Sequence, residues 1–249
     1  MRKTDIEQIE KTIEYTFKNK ALLIQAFTRR SFYNEARQTG NKTVECNEVL
    51  EFLGDSVLGC TVAEKLVGKN SRVDTAGGLH SKLDEGNFSV IKSNLSDKSM
   101  LSSRIHEMGL HRYFLLGEGD KRENISEQPS VMEDLFESIV GAVFVDSGYD
   151  FATAATVVSG MLDIDRYLDA NKNRKSPKTI IQEYAQSKEN RYSFEYIDKG
   201  FDGPEHERRY FRALRMNGVE YPTAYGKNVK EAEVRAASLA IEKLGIPSM

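Results

Sequence analysis

The sequence predicts an all-α domain followed by a small α+β domain of order α-β-β-β-α. Three observations predict it. Apolar residues recur every three or four positions through most of residues 5–165. A polar stretch ending at Pro177 then breaks the pattern. Beyond it, residues alternate in twos on both sides of an Asn217-Gly218 turn.

The elements follow in order. Ile9, Ile13 and Phe17 mark a first helix, and Leu22, Leu23 and Phe27 a second. Residues 49–58 are strongly periodic, and 131–145 repeat the pattern, with Gly148 where a helix cap falls. A further helix is expected over 151–162. Residues 1–168 therefore read as one domain and 169–176 as a linker without apolar period. The second domain, 177–247, opens with a helix over 178–187. Tyr192, Phe194 and Tyr196 alternate as a half-buried strand, and 209–216 reads as a second. A third strand is expected over 219–225, with Pro222 suited to a sheet edge. An Ala-rich helix over 228–244 closes the chain, capped by Asn228 with Glu231 at the capping-box position.

The bulk composition suits this division. A chain of 249 residues with 39% hydrophobic content can build two cores. No apolar run reaches about 18 residues, and the N-terminus has no signal-peptide h-region, so no membrane association is expected. Cys46 and Cys60 lack metal-ligand partners at useful spacing, which fits a reducing, cytoplasmic setting. The net charge of −3 hides a split. Residues 1–174 hold 22 Lys+Arg against 27 Asp+Glu, net −5, whereas 175–249 hold 13 against 11, net +2. The charge that attracts phosphate lies towards the back.

Chemistry is concentrated in two segments. Glu51 and Asp55 are four apart and share a helix face, with Glu48 on the same edge. Leu50, Phe52, Leu53, Val57 and Leu58, with Val49, supply apolar surroundings expected to be buried. Gly54 costs a helix interior about 1 kcal/mol against Ala, which a close backbone contact would explain. Asp134 and Glu137 are three apart on a helix that Val131, Leu135, Phe136, Ile139 and Val140 draw into the core. Two such pairs packed together make an oxygen-lined cage of the kind hard divalent cations prefer. On spacing alone, a solvated acidic face remains the open alternative. His80, His106 and His111 sit in no catalytic pattern, and Gly54-Asp55-Ser56 is not a nucleophile elbow.

The wording of these segments narrows the choice. Asn47-Glu48-Val49-Leu50-Glu51-Phe52-Leu53-Gly54-Asp55-Ser56-Val57-Leu58 resembles the ribonuclease III signature N-E-[RK]-L-E-F-L-G-D-[AS]-x-L. Phe27-Thr28-Arg29-Arg30-Ser31-Phe32 is similar to the family's L-T-H-R-S-[YF], and Leu115-Leu116-Gly117-Glu118-Gly119 to its L-x-L-G-x-G loop. Residues 133–142 match its second acidic helix. Gly203-Pro204-Glu205-His206 and residues 225–237 resemble a double-stranded RNA-binding domain. Val49 departs from the usual Arg or Lys, Arg29 from the usual His, and Val229 from a frequent Lys.

The resemblance implies an endonuclease that cuts double-stranded RNA to 5′-phosphate and 3′-hydroxyl ends in rRNA-precursor and mRNA processing. It implies that Glu51, Asp55, Asp134 and Glu137 hold Mg²⁺, with Mn²⁺ able to substitute, and that Asp55 and Glu137 are indispensable for cutting. It assigns duplex contacts to Gln182, Glu183, His206, Lys227 and Lys230. It implies a homodimer, with an apolar face around Phe52 and Leu53 as the subunit contact, and no organic cofactor. Glu48 is left as an auxiliary or plain surface residue.

Overall fold

The computed structural model describes residues 1–41, 43–171, 176–187, 189–204 and 208–246. The chain divides into two compact units, Met1–Leu168 and Asp169–Met249.

The first unit carries helices α1 (Lys3–Ile13), α2 (Lys20–Ala26), α3 (Arg30–Gln38), α4 (Glu48–Asn70), α5 (Glu85–Leu95), α6 (Lys98–Glu107), α7 (Glu118–Arg122), α8 (Pro129–Asp146), α9 (Phe151–Leu162) and α10 (Ile164–Asn171). Its centre is α8, which is apolar on nearly every side and is accordingly surrounded by α2, α4, α6 and α9. Leu135, Phe136 and Ile139 are fully buried there, each stabilising the fold by about 1.5–3 kcal/mol. Pro129 starts the helix at a position that needs no N–H. Gly148 ends it in the left-handed region at φ +81°, donating its N–H to the Val145 carbonyl at 3.0 Å.

The expectation of an almost wholly helical stretch over 5–165 needs one correction. Strands β1 (Ser71–Val73) and β2 (Leu79–Ser81) form an antiparallel hairpin, with Ser71 opposite Ser81. Asp74 accepts the Ala76 and Gly78 N–H groups at 2.9 and 2.8 Å and so shapes its turn. Both faces of the hairpin meet solvent, so burial imposes no alternation on its sequence.

The second unit contains α11 (Pro177–Gln186), β3 (Phe194–Asp202), β4 (Arg209–Met216), β5 (Val219–Glu220), β6 (Ala224–Gly226) and α12 (Val229–Leu244). Asn217 and Gly218 both take positive φ, +48° and +80°, as a two-residue hairpin turn requires. The single third strand expected over 219–225 is instead two short strands. Both pair with β4, but the register slips by one residue between Arg215↔Glu220 and Arg212↔Ala224. Pro222, which has no N–H to give the ladder, falls in this gap. Helix α12 lies on β4 and β6, and α11 lies on α12. Together they bury Ile181, Leu214, Met216, Ala237 and Ile241.

Candidate active site and RNA-binding surface

The acidic residues are brought together by two glycines. A Cβ on Gly54 would lie 1.8 Å from the Glu137 carbonyl oxygen, and one on Gly141 only 2.0 Å from the Leu50 carbonyl oxygen. Each helix thus presents bare backbone to the other, and α4 and α8 touch main chain to main chain. The helical cost of Gly54 is the condition for this approach. Leu50, Val57 and Leu58 fill the seam beside the glycines. Val49, expected to be buried, instead stands 73% exposed; Phe52, which helical pattern placed among buried residues and the resemblance on an apolar face, is 78% exposed, and Leu53 is half-buried. Positions 49 and 52 are three apart on the stripe of α4 that faces away from α8, so the core cannot reach them.

Glu51, Asp134 and Glu137 are half-buried beside the seam, and Asp55 is exposed next to them. Their charges act on one another. Burial pushes Glu137 up to about 8, reinforced by the negative charges of Asp55, Glu133, Glu51 and Asp134. Burial raises Glu51 also, with Asp134 and Glu48 adding to it. Asp134 is raised by burial against the opposing pull of Arg29. The structure therefore brings the four predicted ligands into one electrostatic cluster.

This donor set fits a hard divalent cation, which would relieve the crowding of like charge and prefers carboxylate oxygen. Among the described residues, no three His, Cys, Asp or Glu side chains already close around a metal-sized space. Closing around a cation would use the rotatable bonds of the Glu51 and Glu137 side chains, which allow their carboxyl groups to move inward.

Two neighbours bear on the cluster that spacing did not single out. Glu133 is raised by burial and by Asp134, with Lys98 opposing. Its four-residue separation from Glu137 is the signal that could have found it. Arg29 stands at the start of α3 and sends Nε to Asp120 Oδ2 at 2.9 Å and Nη1 to Asp134 Oδ2 at 3.5 Å. Glu48 is gripped by both Nε and Nη2 of Arg30, which holds its carboxyl below the usual range. It is therefore an ion-paired rim residue.

In the second unit, Gln182 and Glu183 are exposed on α11, and Lys227 and Lys230 are exposed around the start of α12. His206 lies outside the described residues. A Cβ on Gly226 would fall 2.5 Å from the Ala232 nitrogen, so the chain enters α12 in close contact with its first turn. Asn228 caps that turn by accepting the Glu231 N–H at 2.9 Å. Glu231 accepts from Lys227 N–H at 2.8 Å, one residue earlier than a capping box requires. The N-terminal end of α12, with its positive dipole, thus carries both lysines outward.

The chain matches the family model described as Ribonuclease-III-like over residues 19–162, and the double-stranded RNA binding motif over 177–244. It is 32% identical over 240 residues to "Ribonuclease 3" of Sulfurovum sp. (strain NBC37-1), covering 96% of this chain and 98% of that one. It is 33% identical over 236 residues to "Ribonuclease 3" of Bdellovibrio bacteriovorus, covering 95% and 94%. Among solved structures, the nuclease domain of ribonuclease III from Campylobacter jejuni aligns with a TM-score of 0.53 at 30% identity, over 66% of this chain and 97% of that domain. A second structure of that domain, whose description concerns flexibility in a region involved in dimer formation, aligns at 0.52 with 31% identity, over 64% of this chain and 96% of that one. The chain belongs to the ribonuclease III family and is an endoribonuclease equipped with a double-stranded RNA-binding domain.

Proposed function

We propose that this endoribonuclease is Mg²⁺-dependent, that Mn²⁺ can replace Mg²⁺, and that it leaves 5′-phosphate and 3′-hydroxyl ends on its products. The observation that carries the reading is the mutual crowding of Glu51, Asp55, Asp134 and Glu137 at a glycine seam, with Glu137 pushed up to about 8. A bound divalent ion would supply Lewis acidity that makes water a better nucleophile and offsets charge at the scissile phosphate. The four carboxylates hold that ion. Asp55 and Glu137 are the two whose loss stops cutting, and the rigid backbone contact at Gly54 and Gly141 fixes the spacing of both pairs.

The second domain grips the duplex through Gln182 and Glu183, His206, Lys227 and Lys230. Duplex RNA is read mainly by shape, through its minor-groove 2′-hydroxyls and flanking phosphates, so exposed lysines at a helix N-terminus suit the task. The working division is 1–168 for the nuclease, 169–176 for the linker and 177–247 for RNA binding. A two-fold homodimer would set two sites against the two strands of a duplex. Exposed Val49 and Phe52 supply an apolar patch for that contact. Precursor rRNA and mRNA in the cytoplasm are the proposed targets. Both cysteines are free thiols, as a reducing compartment allows, and among the described residues no helix is long and apolar enough to cross a membrane.

The test is a pair of variants assayed on one long RNA duplex. Glu137→Ala is expected to bind the duplex normally while Mg²⁺-dependent cleavage falls by on the order of a thousandfold, the loss of about 4 kcal/mol of charge stabilisation. Lys227→Ala with Lys230→Ala is expected to weaken binding and to reduce the magnitude of the salt slope by about 2. Normal cleavage by Glu137→Ala would refute the site.

A further inference from the structure

Arg29 is the cation that most directly faces the acidic cluster, and it is built into place from two sides. Its backbone is fixed, because Thr28 bridges Leu115 and Arg29 N–H donates to the Leu115 carbonyl at 3.1 Å. Its side chain is fixed by Asp120, whose Oδ2 also accepts the Ser31 hydroxyl at 2.6 Å. Ser31 Oγ in turn accepts the Gly117 N–H at 3.0 Å, and Glu35 Oε1 accepts the Glu118 N–H at 2.8 Å. A Cβ on Gly117 would lie 2.6 Å from that same Glu35 oxygen and 2.9 Å from the Ser31 Cβ, so a side chain there would displace this contact. Helix α7, which carries Asp120, is thus bound to α3, and the guanidinium extends from this frame to Asp134 on α8.

We propose that Arg29 is a positioning residue of this nuclease. Anchored on Asp120, it stands beside the Asp134 carboxylate as a fixed positive charge that lowers the affinity of the cluster for its divalent ion. The inference rests on the carboxylate cluster being the metal site. A guanidinium can serve both carboxylates at once, because its donors diverge from one planar group. The histidine that the family pattern puts at this position carries charge only part of the time near neutrality. Arginine makes the countercharge permanent. It has two opposed effects on metal binding. It orders one ligand, which favours binding, and it repels the cation, which opposes binding. The contact to Asp134 is long and partly exposed, so its ordering effect is small. A full positive charge a few ångströms from a divalent ion weighs more even at high effective dielectric. Repulsion wins.

The two partners of this bridge should therefore shift metal affinity in opposite directions. Arg29→Gln keeps a hydrogen-bonding arm but removes the charge, and RNA-free protein should bind Mn²⁺ roughly tenfold more tightly. Asp120→Asn releases the guanidinium from its anchor and leaves more of its charge to Asp134, so Mn²⁺ should bind several-fold more weakly. Arg29→Lys restores the charge and should return affinity towards wild type. Free Mn²⁺ counted by electron paramagnetic resonance gives these constants without RNA or turnover. On duplex RNA, the Mn²⁺ concentration that half-saturates cleavage should fall by a similar factor in Arg29→Gln, while RNA affinity stays unchanged. Thermal melting checks that each variant is folded, and Asp120→Asn, expected to weaken Mn²⁺ binding, carries the comparison with wild type should Arg29→Gln melt early. Equal or weaker Mn²⁺ binding by folded Arg29→Gln, or a shift in the same direction for Asp120→Asn, would overturn the proposal. Loss of Mn²⁺ binding in Glu137→Ala is expected. Its persistence there would instead refute the metal-site reading, and this inference with it.

Discussion

Helix α8 carries carboxylates at both ends of its buried length, and the two ends treat them in opposite ways. At the C-terminal end, Asp146 is almost fully buried and accepts three hydrogen bonds. They come from the Tyr15 hydroxyl at 2.9 Å, the Lys18 N–H at 2.8 Å and the Asn19 N–H at 2.7 Å. Towards the N-terminal end, Glu137 is half-buried, and each of the five largest influences on it opposes ionisation. One carboxylate has its charge met by the fold and ties α8 to the loop after α1. The other is left unmet, and its neighbours aggravate it. A half-buried carboxyl without donors costs stability when it ionises, so its presence in an otherwise well-packed helix points to something outside the chain.

The largest effect should come from breaking the satisfied end. Asp146→Ala takes the acceptor from the partly buried bonds of the Lys18 and Asn19 N–H groups and the Tyr15 phenol, and should reduce unfolding free energy by about 3 kcal/mol. Chemical denaturation measures this, and cleavage per folded molecule should be unchanged. The next effect targets the seam that positions the unmet end. Gly54→Ala gains helix propensity, but its Cβ meets the Glu137 carbonyl, so a net loss of about 2 kcal/mol is expected. Unlike Asp146→Ala, it should also reduce the specific activity of the folded enzyme, because it moves both acidic pairs.

The smallest effect concerns pH. Glu137 has a raised value, about 8 against 4.5, so between those limits the native state holds a proton that the unfolded state has released. Metal-free stability should therefore fall as pH rises through that window. His111 works the other way, because burial lowers its value and favours the neutral native form at higher pH. The difference between wild type and Glu137→Gln isolates the glutamate. That variant should gain about 1–3 °C in melting temperature relative to wild type between pH 5 and 8, and saturating Mg²⁺ should abolish the gain. A constant difference across the range would mean that Glu137 is ionised throughout.

The contrast also explains which features could be read from the sequence. Helical periodicity located α4, α8 and α9 because burial forces apolar residues onto regular positions, and the acidic pairs stood out against that background. Gly54 was legible as an anomaly, but its partner Gly141 became meaningful only once α4 and α8 were known to touch. Val49 and Phe52 look like core residues in one dimension, and only the three-dimensional stripe separates them from Leu50 and Val57. The hairpin at 71–81 carries no alternation because neither of its faces is covered. Arg29 was visible as a departure from a pattern, yet its reach to Asp120 and Asp134 spans 91 and 105 positions of chain, and local spacing holds no record of it.

Crystals of the metal-free protein soaked in Mn²⁺ and measured at a wavelength where manganese scatters anomalously give the most direct test of the nuclease site. The expected result is a peak at the seam of α4 and α8, bonded to oxygens of Glu51, Asp55, Asp134 and Glu137 and lost in Glu137→Ala. A peak elsewhere, or none at the seam in a protein that still cleaves RNA with Mn²⁺, would contradict it.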